Sequence, residues 1–115
     1  MKIAELVQKL NLEVRAAKGN LERGITGGYA SDLLSDVLAN SKEGNLWITL
    51  QIHQNIVGVA SMKGLAGIIL VNGREPEPET LEKAETENIP LMVSEMPTFE
   101  LVGRLYNLGV GGTEE

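Results

Sequence analysis

The stretch LWITLQIHQNIVGVASMKGLAGIILV, residues 46 to 71, predicts a strand, a helix and a second strand. Leu46–Leu50 and Gly67–Val71 are short and almost wholly apolar, as strands buried on both faces are. Between them, residues 56 to 62 place apolar side chains at helical spacing. A strand, a helix and a further strand in this order are the repeating unit of a parallel sheet.

The same pattern continues on both sides of this unit. Pro90–Val93 is a third apolar run, and helical patterns follow the second and third runs. Upstream, Ile3–Leu10 predicts a helix and Leu12–Ala16 alternates like a half-exposed strand. We therefore predict an α/β fold with a small, mainly parallel sheet of four to five strands and crossover helices. Residues 1–110 are expected to form one domain, and residues 111–115 a flexible tail.

Composition excludes several functional classes. The 115 residues include no cysteine, so disulfides, thiol catalysis and cysteine-held clusters are excluded, and no cofactor is predicted. The net charge is −6, with 16 acidic against 10 basic residues, and aromatic residues are few, which argues against nucleic-acid binding. No apolar run is long enough to predict a signal peptide or a membrane span. A cytoplasmic location is the resulting expectation.

A glycine pair is the most conspicuous local feature. Thr26–Asp32 predicts a turn that leads from a short strand, Leu21–Ile25, into an apolar helix. In one interpretation, the amides of Gly27 and Gly28 approach an anion at the helix start. In the other, the pair only makes a tight turn with positive φ, and Ser31 caps the helix. The stretch is neither a phosphate-binding loop nor a dinucleotide-binding motif.

Other candidates follow the predicted strands, where ligands of parallel sheets bind. His53 is either a ligand contact or a helix cap, and Arg74 either contacts an anion or pairs with Glu75 or Glu77. Asp32 and Asp36 are four residues apart and are expected to share one helix face, but two carboxylates are too few to predict a metal site. No catalytic residue is predicted. The predicted ligand-binding residues are Arg23, Gly27, Gly28, Tyr29, Ser31, Asp32, His53, Asn72 and Arg74.

Glu22–Gly28, followed by Tyr29–Asp36, resembles the signature of the DRTGG domain, although Glu22 replaces the aspartate and two residues interrupt the motif. The resemblance implies a fold similar to the N-terminal domain of HPr kinase/phosphorylase, and a regulatory or dimer-forming accessory module. Stand-alone members lie near iron-only hydrogenase genes and carry iron–sulfur or kinase-like labels. Without cysteine or a phosphate-binding loop, this sequence fits neither label literally.

Two main functional hypotheses follow. The first is a non-catalytic regulatory domain that binds a small anionic ligand, such as an adenine nucleotide, at the strand carboxyl ends. It would act as a homodimer or with a partner enzyme, and Leu12–Ala16 is a candidate edge for dimer pairing. The alternative is an assembly protein of a hydrogenase-type redox system that takes no small ligand. An enzyme using His53 and Asp32 is the third possibility.

Overall fold

The computed structural model describes residues 1–112. Within them, five α-helices, five strands and one short 3-10 helix follow one another along the chain. They are α1 (Ile3–Leu10), β1 (Glu13–Ala16), the 3-10 helix (Lys18–Asn20), β2 (Gly27–Ala30), α2 (Leu34–Asn40), β3 (Asn45–Thr49), α3 (Asn55–Lys63), β4 (Gly67–Leu70), α4 (Pro78–Glu87), β5 (Leu91–Val93) and α5 (Thr98–Asn107).

The strands form one sheet in the order β1-β5-β4-β3-β2. Strands β2 to β5 are parallel to one another, with Tyr29 opposite Trp47 and Ile48 opposite Ile69. Among the strands of residues 1–112, β1 alone is antiparallel, and it pairs with β5 at one edge of the sheet. The α/β class and the small, mainly parallel sheet predicted from the sequence are confirmed.

Helices cover both faces of the sheet. α2, α3 and α4 pack on the face that carries Trp47 and Ile68, whereas α1 and α5 pack on the face that carries Ile48 and Ile69. Strand residues alternate between two separate apolar clusters because successive side chains point to opposite faces. No helix within residues 1–112 is both long and apolar enough to cross a lipid bilayer.

The prediction of a strand at Leu21–Ile25 is wrong, because these residues form a loop. The backbone carbonyl of Arg23 accepts a hydrogen bond from the amide of Ile3 at 3.2 Å. An isolated antiparallel bridge joins Gly24 to Lys2. The loop therefore uses its backbone groups to satisfy the amino end of α1, where amides lack partners within the helix.

The glycine pair begins β2 and is not a turn with positive φ. The Gly28 amide donates to the carbonyl of Gly111 at 2.8 Å. A Cβ atom on Gly27 would lie 2.9 Å from the carbonyl oxygen of Gly112. Glycine is needed here because the chain after α5 runs close to the backbone of β2. Of the predicted tail, residues 113–115 lie outside the described part of the chain.

Helix α2 starts later than predicted. Its N-cap is Leu33, and the Ser31 hydroxyl accepts a hydrogen bond from the Leu33 amide at 3.2 Å, so Ser31 is not the N-cap itself. Asp32 precedes the helix, whereas Asp36 lies in its first turn. The expectation that Asp32 and Asp36 share one helix face is therefore wrong.

Candidate functional site

A polar depression lies at the carboxyl ends of β3 and β4. Its volume is about 400 Å³, within the range of roughly 300–1,000 Å³ of small-molecule sites. The loops after β2, β3 and β4 converge there, as expected for ligand sites of parallel sheets. The lining residues are Asp32, Leu50, Gln51, Ile52, His53, Arg74 and Glu77.

Asp32 fixes one wall of the depression. Its Oδ1 accepts hydrogen bonds from the Thr49 hydroxyl at 2.9 Å and from the Leu50 amide at 2.7 Å. The Gln51 side-chain amide donates to the Asp32 carbonyl at 2.8 Å. These bonds join the loop after β2 to the loop after β3.

The opposite wall is held by Ile52. Its carbonyl accepts from the Thr80 hydroxyl at 2.7 Å and from the Glu77 amide at 3.2 Å. Thr80 is fully buried in the first turn of α4. The bonds tie the start of α4 to the loop before α3. Both walls of the depression are therefore held by hydrogen bonds to neighbouring strand ends and helix starts.

His53 lines the depression and also contacts the start of the next helix. Its Nδ1 accepts a hydrogen bond from the Asn55 amide at 3.1 Å, at the first residue of α3. An acceptor nitrogen carries no proton, so the neutral ring holds its proton on Nε2. His53 thus acts as a helix cap through one nitrogen and leaves an N–H donor on the other.

Arg74 is an exposed cation at the rim of the depression. Its guanidinium forms no hydrogen bond or ion pair with any residue in 1–112. The neighbouring Glu75 instead takes two hydrogen bonds from Arg15, each 2.8 Å long. That contact lowers the pKa of Glu75 and raises the pKa of Arg15. The loop is anchored to β1 by this pair, and Arg74 stays available to an anion.

Several predicted site residues lie elsewhere. The Arg23 guanidinium donates to the carbonyls of Gly64 at 2.7 Å and Leu65 at 3.1 Å, just before β4. Gly27 and Gly28 pair with the first residues of β3, also at the amino ends of the strands. Asn72 is exposed at the carboxyl edge but does not line the depression. The structure brings together Asp32, His53 and Arg74, and leaves these four residues apart from them.

Tyr29 and Asp36 form a contact between β2 and α2. The Tyr29 hydroxyl lies 2.9 Å from both carboxylate oxygens of Asp36. Burial, followed by this hydrogen bond, raises the pKa of Tyr29. Hydrogen bonds from Asn40 first, and also from Ser31 and Tyr29, lower the pKa of Asp36. Tyr29 therefore has a structural partner, and neither residue lines the depression.

Because the pKa of Asp36 is lower in the folded protein than in the unfolded chain, ionised Asp36 stabilises the fold at neutral pH. This contribution is lost as the pH falls through the folded-state pKa.

We expect Asn40→Ala to raise the pKa of Asp36 more than Tyr29→Phe does, since the Asn40 bond at 2.8 Å is the largest cause. Carboxyl carbon NMR titration measures both shifts. The pKa of Glu75 serves as the control, and an unchanged Asp36 in Asn40→Ala would contradict the assignment.

Ile52 and Glu77 line the depression but are not among the site residues predicted from the sequence. Ile52 contributes through its backbone carbonyl, which a residue type does not reveal. Glu77 precedes Pro78, the first residue of α4, and this proline was the available signal for a helix start beside the site. Within residues 1–112, no group of three or more His, Asp or Glu side chains is placed to hold a metal ion.

Comparisons with known proteins bear on the fold. No family model matches the sequence, and no curated protein matches it. Among solved structures, the chain is similar to the CBS and DRTGG domains of the regulatory region of Clostridium perfringens pyrophosphatase, complexed with its activator, diadenosine tetraphosphate. The TM-score is 0.70 at 16% identity, over 90% of this chain and 44% of that one. The chain thus spans less than half of that structure, and its fold is DRTGG-like.

Proposed function

We propose that this protein is a regulatory binding module that takes a small anionic ligand in the depression formed by the loops after β2, β3 and β4. The observation that carries the proposal is that Arg74, whose guanidinium has no partner within residues 1–112, lines the same depression as His53, whose Nε2 remains a donor. Arginine suits phosphate because its guanidinium can donate two parallel hydrogen bonds. The solved structure with a similar fold is a regulatory region in complex with a nucleotide activator.

The charges of the depression narrow the ligand class. Asp32 and Glu77 line it together with Arg74 and His53, so carboxylates and hydrogen-bond donors lie side by side. A bare phosphate would meet repulsion from the two carboxylates, whereas a nucleotide also carries ribose hydroxyls and an amino group that donate to carboxylates. This pattern supports an adenine nucleotide over inorganic phosphate. We propose that the module acts as a homodimer.

Removing the charge of Arg74 tests the proposal. Arg74→Ala should weaken binding of AMP, ATP or diadenosine tetraphosphate roughly 10- to 100-fold, since a hydrogen bond to a charged group contributes about 1.5–3 kcal/mol. Isothermal titration calorimetry measures the loss. Lys18→Ala, which removes one exposed positive charge from the 3-10 helix, is the matched control.

Thermal unfolding of the wild type gives an independent readout. Ligand at about 100 times its dissociation constant adds about 2.7 kcal/mol of stability, which raises the melting temperature on the order of 10 °C. Adenosine and inorganic phosphate are the comparison ligands. At the same concentration as the nucleotide, each should raise the melting temperature less. No rise with any nucleotide, or equal binding by Arg74→Ala and wild type, would remove the basis of the proposal.

A further inference from the structure

The outward face of α5 carries an aromatic stripe. Phe99 is 92% exposed and Tyr106 is 65% exposed, and Gly103 lies between them on the same side of the helix. Apolar residues scattered singly over a surface are ordinary, whereas exposed apolar residues that share one helix face make that face a candidate interaction surface. The buried side of α5 is formed by other residues, Leu101 and Leu105. The stripe therefore contributes nothing to the core described in residues 1–112.

A hollow of about 90 Å³ lies beside the stripe, between α5 and the edge strand β2. It exists because β2 presents only small residues, Gly28 and Ala30, on the side that faces α5. Ile48, Val102 and Tyr106 complete an apolar lining. The space is smaller than an engineered cavity of about 150 Å³ that holds benzene, so part of an aromatic ring fits into it.

The charges on α5 indicate which partner fits this surface. Glu100 and Arg104 are one turn apart, both more than half exposed, and form an ion pair of 3.3 Å along the helix. In an antiparallel pair of such helices, Glu100 of each copy lies near Arg104 of the other. The same reversal places Phe99 of one copy near Tyr106 of the other. The two residues lie on either side of the helix midpoint near Gly103, about 10.5 Å apart along the helix.

We propose that the α5 face pairs with the same face of a second copy about a two-fold axis beside Gly103. Phe99 of each copy enters the hollow of the other, and Glu100 and Arg104 pair reciprocally at the rim. Gly103 has no side chain, and apart from the backbone of α5 itself no atom of residues 1–112 lies within 4 Å of where its Cβ would be, so a second helix can approach closely there. A two-fold pair closes on itself and leaves no unfilled copy of the surface. The inference rests on the homodimer of the proposed function and assigns its interface.

The edges of the sheet are less suited to pairing. β1 has a bulge between Val14 and Ala16, and its Arg15 is held by Glu75. Bulges and charges are features that protect an edge strand against pairing with another chain. On β2, the outward amide of Gly28 already donates to Gly111. The α5 face is therefore the better candidate surface than the Leu12–Ala16 edge.

Mass measurement by light scattering over a range of concentrations tests the interface. The wild type should give twice the 12.4 kDa of one chain. Phe99→Ala, Gly103→Leu and Ala30→Leu should each raise the dimer dissociation constant at least about 10-fold, by removing the aromatic contact, blocking the helix crossing and filling the hollow. Phe99 and Gly103 are exposed, so circular dichroism should show an unchanged fold in their variants. Met62→Ala, another exposed apolar residue on α3, is the control and should remain dimeric.

Charge reversal gives a more specific readout. Glu100→Arg alone and Arg104→Glu alone should each weaken the dimer, because like charges then meet at both reciprocal contacts between positions 100 and 104. An equimolar mixture of the two variants should dimerise again, since every rim contact then joins opposite charges. A monomeric wild type overturns the proposed interface. So does a dimer whose dissociation constant is unchanged by Phe99→Ala and Gly103→Leu. In either case, nucleotide titration of the same sample shows separately whether the ligand proposal stands.

Discussion

Replacing Trp47 with alanine should lower the free energy of unfolding by about 3–5 kcal/mol, a large share of the roughly 5–15 kcal/mol of a typical domain. Trp47 is fully buried in β3 and packs in the cluster under α2 and α3. Its indole N–H also donates to the carbonyl of Ser31 at 2.8 Å, which fixes the chain after β2. Alanine would leave a cavity and an unpaired carbonyl together. Urea unfolding followed by circular dichroism measures the loss.

Trp47→Phe separates the two contributions. Phenylalanine retains most of the ring but lacks the N–H donor, so we expect a loss between those of wild type and Trp47→Ala. Met62→Ala, at a side chain that is 76% exposed, should change stability by no more than about 0.5 kcal/mol. A loss in Trp47→Ala no larger than that of Met62→Ala would contradict the packing described for β3.

Replacing Gly44 with alanine should lower the free energy of unfolding by about 1–3 kcal/mol. Gly44 has φ of +83°, and a Cβ atom there would lie 2.6 Å from Cγ2 of Thr26. The backbone cannot easily move away, because the Gly44 amide donates to Gly64 at 2.9 Å and its carbonyl accepts from Thr26 at 3.0 Å. The same substitution at Gly19 is the matched control, since a Cβ atom there would meet no atom within 4 Å in the described part of the chain, apart from its own neighbours in sequence. Equal losses at both positions would refute this account.

The strands that the sequence predicted best are those buried on both faces. β4 and β5 lie within the predicted apolar runs, and β3 begins one residue before its run, because a continuous apolar stretch of this length is typical of a strand buried on both faces. β2 was missed because Gly27 and Gly28 have low strand propensity. Its strand conformation comes from pairing with β3 and from the approach of Gly111, neither of which is a local property.

The positions of the strands also explain which predicted site residues lie together. His53, Arg74 and Asp32 follow strand ends, so the rule that ligands bind at carboxyl ends located them at one edge. The prediction that Arg23 joins them depended on a strand at Leu21–Ile25, and the structure has a loop there. Since β2 begins at Gly27 instead, Arg23 precedes a strand and lies at the opposite edge of the sheet. Their roles in binding stay predictions until the nucleotide titrations are made.

The antiparallel pairing of β1 has a consequence for biosynthesis. Glu13 lies opposite Val93, so the second element of the chain pairs with nearly the last. At about 5–20 residues per second, a ribosome needs several seconds to make the segment between them. During that time β1 has no neighbouring strand, whereas β2, β3 and β4 can assemble in order as they emerge. The alternation of Glu13 and Arg15 with apolar residues keeps this waiting strand charged along one side, which discourages premature association with other nascent chains.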